Sequence, residues 1–172
     1  MIWLYDFAWP APIALPAAAR IWRSMTGTGG RAYLDADVAP GEGWTALETL
    51  RIISGAGAAA IEAGDRGAEA GSAAGSVPFH YSVEADVAPE HEADFNAWYE
   101  EEHLPGLAAV PGTIRALRFR RLAGTPRYLA CYDLLTPATL ERPEWQAVRH
   151  TAWSARVRPL FVHPRRTMFA RP

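Results

Sequence analysis

Lysine is absent from all 172 residues, so each of the 17 basic side chains is an arginine. Without a lysine amine there is no Schiff-base nucleophile and no phosphate-binding loop lysine, which excludes two large enzyme classes. A GC-rich genome is the bland origin of the same bias. Cysteine is almost missing too. The single Cys131 has no intramolecular partner and sits in an alternating apolar run, so it reads as a buried structural thiol rather than a nucleophile. Neither sign of charge dominates, with 17 basic against 19 acidic side chains, and nucleic acid or an anionic membrane is not expected as a partner. No apolar run approaches the roughly 20 residues of a membrane helix. No basic leader with an apolar core and cleavage site opens the chain, and a cytoplasmic setting is expected. There is no HExxH and no cysteine pair. His91, His103 and the neighbouring glutamates lack zinc or facial-triad spacing, so neither a metal nor a cofactor is expected.

What is present divides at a linker. Met1 to Phe7 alternates weakly and predicts a strand; a turn through Pro10, Pro12 and Pro16 and a short helix to about Met25 follow. Arg31 to Val38 predicts a second strand. Trp44 to Glu62 predicts a helix with Leu47, Leu50 and Ile53 facing a core. Residues 1–63 thus read as a βαβα module. Between Gly64 and Ser76 the composition collapses to small and charged residues, which is linker chemistry.

Residues 77–172 form a richer second module. Val77 to Val87 alternates, with Phe79, Tyr81, Val83 and Ala85 on one face and His80, Ser82, Glu84 and Asp86 on the other. A helix from Glu90 to His103 follows, then strands over Thr113 to Leu122 and Arg127 to Leu135, a helix from Glu144 to about Val157, and a last strand from Pro159 to Phe169. The order is that of a ferredoxin-like split βαβ sandwich, an α+β fold with both helices on one sheet face. Asp35 to Pro40 echoes Glu84 to Pro89, which is either a degenerate duplication or a chance recurrence.

The stretch from Asp94 to Pro105 carries the chemistry. At about 100° per residue Asn96, Tyr99, Glu100 and His103 share one helix flank, and Phe95, Trp98 and Glu102 the next. Pro105 predicts a helix end at or just before Leu104, which would leave His103 in the last turn. There it could act as a general acid or base, or simply cap the helix. Asn96 and Tyr99 could stabilise an oxyanion, or pack and bond to a loop. Trp98 with Phe95 suits a core or a ligand wall. Glu102, if buried, needs an arginine, for which Arg118 and Arg120 on one strand face are candidates. Those arginines could also bind an anionic ligand, or keep an exposed edge soluble. His80 would join Glu84 as a second acid/base pair if their face were internal.

The run Phe95-Asn96-Ala97-Trp98-Tyr99 with His103 and Pro105, then Val110-Pro111-Gly112, Gly124 to Ala130 and the closing strand with Arg165-Arg166, resembles the EthD-like family of the dimeric α+β barrel superfamily. The resemblance spans about residues 77–169. It implies that the open face of one sheet packs against another to enclose a barrel, because an open apolar sheet face is unstable in water. A homodimer is expected, with the first half extending or closing the barrel. It also implies a cofactor-independent small-molecule enzyme of the proton-transfer, isomerase, cyclase or monooxygenase type, acting on an aromatic, lactone or polyketide-like carbonyl compound. A non-catalytic binding or accessory protein and a haem-binding protein are the alternatives. In the enzyme reading His103, Asn96 and Tyr99 are the catalytic residues, and Trp98, Glu102, Arg118, Arg120 and His80 line the ligand.

Overall fold

The computed structural model describes residues 1–9, 11, 19–35, 48–56 and 77–172. Eight strands form one antiparallel sheet that closes on itself: β1 (Ile2–Ala8), β2 (Arg20–Ser24), β3 (Gly29–Asp35), β4 (Glu48–Ala56), β5 (Phe79–Asp86), β6 (Thr113–Arg121), β7 (Tyr128–Leu134) and β8 (Val162–Ala170). Around the barrel they run β1-β3-β2-β8-β5-β7-β6-β4 and back to β1. The second half alone is ordered β8-β5-β7-β6, the ferredoxin-like arrangement. The first half repeats it as β4-β1-β3-β2, and the halves join edge to edge through β2 with β8 and β4 with β6. The face expected to need a second subunit is therefore covered by the chain's own first half.

Two expectations for that first half are corrected. Residues 20–24, assigned to a helix ending near Met25, form β2, a strand too short for its sequence to show a period. Within the helix expected from Trp44 to Glu62, residues 48–56 form β4, which pairs with both β1 and β6. The i, i+3 spacing of Leu47, Leu50 and Ile53 mimicked a helix. Two neighbouring edges, together with the strand preference of Thr49, Ile52 and Ile53, outweigh that spacing. The expected linker at Gly64 to Ser76 lies outside the described residues. The echo does not mark the repeat either. Asp35 ends the third strand of its half while Asp86 ends the first strand of the other, so the two segments are not topologically equivalent.

In the second half α1 (Glu92–Trp98) runs through a π-helical turn, Tyr99–His103, into α2 (Leu104–Ala108). The helix therefore does not stop at Leu104. A proline lacks its own N–H and crowds the carbonyl four residues back. The π turn absorbs this, because the Leu104 N–H bonds to Tyr99 O, five residues back, and Pro105 falls in the first turn of α2, where its missing N–H leaves no bond unmade. The remaining helices are α3 (Pro143–Arg149) and α4 (Ala152–Val157). Phe95, Trp98, Leu104, Leu107 and Trp145 from these elements pack on Ala116, Tyr128, Tyr132 and Leu134 of the outer sheet surface. The barrel interior holds a second cluster, built on Leu4, Trp22, Tyr33, Leu117, Phe119, Leu129 and Phe169 from both halves.

Candidate functional site

The π turn sets the helix-side site. It turns Tyr99 and His103 inwards together, and both are buried. The His103 imidazole is 7% exposed, stacks on the Trp98 indole with centroids 4.0 Å apart, and meets the Tyr99 ring edge-on at 5.4 Å. Its Nδ1 is buried without a hydrogen-bond partner. Burial, followed by the nearby Arg158, Arg149 and Arg118, pushes the imidazole down to about 3, so it is neutral at physiological pH. Beside it lies a cavity of about 30 Å³ walled by Tyr81, Tyr99, Trp98, Tyr132 and Trp145 and edged by Arg149, Arg158 and Arg166. Arg158 donates to the Arg149 carbonyl at 3.2 Å. None of the three arginines pairs with a carboxylate among the described residues. Burial raises the Tyr99 phenol to about 12, keeping it a neutral donor.

Asn96 does not reach this cavity. Its Oδ1 accepts from Arg118 Nη2 at 2.8 Å and its amide donates to the Tyr128 hydroxyl at 3.4 Å, while that hydroxyl donates to Glu92. Arg118 is wholly buried between helix and sheet, with its guanidinium 4.1 Å from the Tyr99 ring centre and Nη1 unpartnered. It therefore links Asn96 to Tyr99, although the two do not converge as a donor pair. Glu102 takes no arginine: it accepts from Trp98 Nε1 at 3.2 Å and from Thr151 Oγ1 at 2.6 Å, tying the π turn to the start of α4. Trp98 also donates to Ser154 Oγ at 3.2 Å and is fully buried. Arg120 is exposed, outside the cavity lining.

His80 lies elsewhere. The face carrying His80, Ser82 and Glu84 points into the barrel, opposite the helix side. His80 and Glu84 are not an acid/base pair, because each is committed to a different network. His80 Nδ1 is 2.7 Å from Asp133 Oδ1, and its Nε2 is 2.9 Å from the Tyr33 hydroxyl. An ionised carboxylate can only accept, so Nδ1 carries the proton and Nε2 accepts from Tyr33. Burial lowers the imidazole and keeps it neutral. Asp133 is held down to about 2 against its burial by His80 and Arg115, whose Nε and Nη2 reach Oδ2 at 2.9 and 2.5 Å. Glu84 instead takes Arg31, Arg121 and Arg165 at 2.7 to 2.8 Å. Tyr33 and Asp133 were missed as site residues. The only signal available was the even-numbered polar face of β5, which needs buried partners if it is internal.

No protein-family model matches this chain, and no curated protein sequence matches it. Solved structures do. A ferredoxin-fold protein from Listeria monocytogenes, related to antibiotic biosynthesis monooxygenases, aligns over 100% of this chain and 95% of its own at TM-score 0.62 and 8% identity. An anthrone oxidase-like protein aligns over 98% and 90% at TM-score 0.62 and 11% identity. A heme-degrading enzyme from Listeria monocytogenes aligns over 99% of both chains at TM-score 0.55 and 9% identity. The likeness is one of fold. The chain has the ferredoxin-like α+β barrel of these monooxygenase-like proteins, and at such identities that says nothing of chemistry. Among the described residues no helix is long and apolar enough to cross a membrane.

Proposed function

We propose that the chain is a cofactor-independent small-molecule protein of the EthD-like kind, whose ligand is an anionic or enolisable carbonyl compound of aromatic, lactone or polyketide type, seated at the helix-side cavity. The observation that carries this reading is the buried, unpartnered Nδ1 of His103 beside three arginines that lack carboxylates. Three cations without counter-charge favour an anion. The cavity itself, at about 30 Å³, admits only the ligand's oxygen-bearing edge, and its aromatic walls flank that edge. In this reading His103 Nδ1 accepts the ligand's acidic O–H or C–H proton. The bound anion offsets the arginine field that helps to depress the imidazole, which makes His103 a better base with ligand than without. Tyr99 donates to the developing oxyanion, and Asn96 acts at one remove by fixing Arg118 against the Tyr99 ring.

Haem fits these residues poorly. A macrocycle cannot enter a cavity of about 30 Å³ without parting the helices from the sheet; a Soret band on purified protein would overturn that judgement. A homodimer loses its original motive, since β1 to β4 cover the inner sheet face, and would have to form through another surface. The free thiol of Cys131 suits a cytoplasmic setting.

Native mass spectrometry for a co-purified organic anion, followed by assay of His103→Gln and Arg158→Gln, tests the proposal. An enzyme loses turnover but keeps ligand in His103→Gln and loses affinity at least tenfold in Arg158→Gln. Loss of binding in both variants without any turnover in the parent favours the accessory-protein alternative. Unchanged affinity in Arg158→Gln refutes the site.

A further inference from the structure

The barrel interior contains a polar centre that the helix-side reading does not use. At one end of the barrel a cavity of about 20 Å³ is lined by Arg20, Trp22, Tyr33, His80, Arg115 and Asp133, with Leu117, Phe119 and Cys131 completing the wall. Arg20 and Arg115 form its partly open rim, their side chains 19% and 17% exposed. The rim is unusual in its unspent donors. Arg20 makes no hydrogen bond among the described residues; its one ion pair, to Asp35, is long at 3.9 Å, and its guanidinium lies over the Tyr33 ring at 5.8 Å. Arg115 places both its bonding nitrogens on a single oxygen of Asp133, leaving Nη1 without a partner in that pair. Two arginines thus face one cavity with N–H groups to spare, while the ionised Asp133 in the same wall has its oxygens taken by His80 and Arg115. Behind them Tyr33, His80 and Asp133 form a hydrogen-bonded chain whose hydroxyl end opens on the same cavity.

We infer that this end of the barrel is a second small-molecule site, distinct from the helix-side cavity, that takes a small monocarboxylate of formate to acetate size. The carboxylate bridges Arg20 and the free edge of Arg115, an arrangement in which planar guanidinium donors match planar carboxylate acceptors. The volume suits the choice. It exceeds the roughly 10–15 Å³ needed for one water and is far below what a ring requires. Trp22, stacked on His80 with centroids 5.0 Å apart, and Phe119 narrow the cavity against larger anions. The Tyr33 O–H is donated to His80 and its oxygen accepts from the Cys131 thiol at 3.5 Å, so that end offers the bound acid no donor and meets its C–H or methyl side, not its charge.

The test is titration of the full chain with ¹³C-acetate, followed by NMR of the acetate and of the histidine ring nitrogens. The expected result is saturable binding that shifts the His80 ring signals and leaves those of His103 unmoved. Arg20→Gln should weaken it at least tenfold without unfolding, since Arg20 makes no hydrogen bond among the described residues. Arg23→Gln, on the outward side of β2, should leave it unchanged. Absence of saturable binding, equal affinity in Arg20→Gln, or shifts at His103 in place of His80 each overturn the site. Failure of this site leaves the helix-side reading standing, whose own test uses other residues and another ligand.

Discussion

Glu84→Gln exchanges an ion for an amide of almost the same shape at the centre of the barrel. Glu84 is 2% exposed and accepts from Arg31 at 2.8 Å, Arg121 at 2.7 Å and Arg165 at 2.8 Å. Burial alone would raise its carboxyl; Arg31 and Arg121 outweigh that and hold it at about 2, against an ordinary 4.5. A folded value below the unfolded one means that the ionised carboxylate favours the fold. Its contribution is complete above about pH 4.5 and is lost as the pH falls towards 2. At about 1.4 kcal/mol per unit the difference is about 3 kcal/mol at pH 7, which agrees with the ~3–5 kcal/mol cost of breaking a buried pair from one side. The amide leaves Arg31 with Asp6, its bidentate partner at 2.6 Å, so collapse of the whole network is not expected. Urea unfolding of parent and variant at several pH values measures the effect. With a slope of about 2 kcal/mol/M the midpoint should fall by roughly 1.5 M at pH 7. The gap should narrow to a few tenths of a kcal/mol, on the order of RT, by pH 2. A gap that stays constant between pH 7 and pH 3 would refute the electrostatic account and leave only lost shape or packing.

Cys131, buried and pushed up to about 12, should react with a disulfide reagent in native protein only at the rate of opening, and at once in urea; prompt native labelling would show the thiol to be accessible. Gly30→Ala should cost about 1–3 kcal/mol in urea unfolding, because a Cβ there would stand 2.3 Å from the Phe7 ring, itself stacked between Tyr5 and Trp9, and an unchanged midpoint would show that the ring can move aside.

The second half was legible in the sequence because its strands alternate cleanly and its helices carry aromatics at helical spacing. Strands expected at 77–87, 113–122, 127–135 and 159–169 appear at 79–86, 113–121, 128–134 and 162–170. The first half was half legible. β1 and β3 alternate, but β2 is only five residues long and β4 owes its form to pairing partners some 50 and 70 residues away in sequence. Such long-range pairing leaves no local trace. The site shows the same division. That His103 and Tyr99 lie on one helix flank could be read from spacing, whereas the π turn that carries the helix past Pro105 could not, since proline's local rule predicts a stop. In the Tyr33–His80–Asp133 chain, His80 and Asp133 face each other across the paired strands β5 and β7, and closure of the sheet brings Tyr33 of β3 to them.

Closure also changes what the two halves are. Each has the ferredoxin-like strand order, and the composition between them reads as a linker, which suggests two units. Yet their inner faces are not apolar surfaces that happen to meet. Arg31 and Tyr33 from β3 also bond to Glu84, His80 and Cys131 from β5 and β7, so polar groups of one half complete those of the other, although Arg31 keeps Asp6 and Glu84 keeps Arg121 and Arg165 within their own halves. The two halves are thus joined by polar contacts as well as by strand pairing. The helix-side site belongs to the second half alone, since the first half has no counterpart of Asn96-Ala97-Trp98-Tyr99. The hydrogen-bonded chain inside the barrel draws on both, with His80 and Asp133 from the second half and Tyr33 from the first.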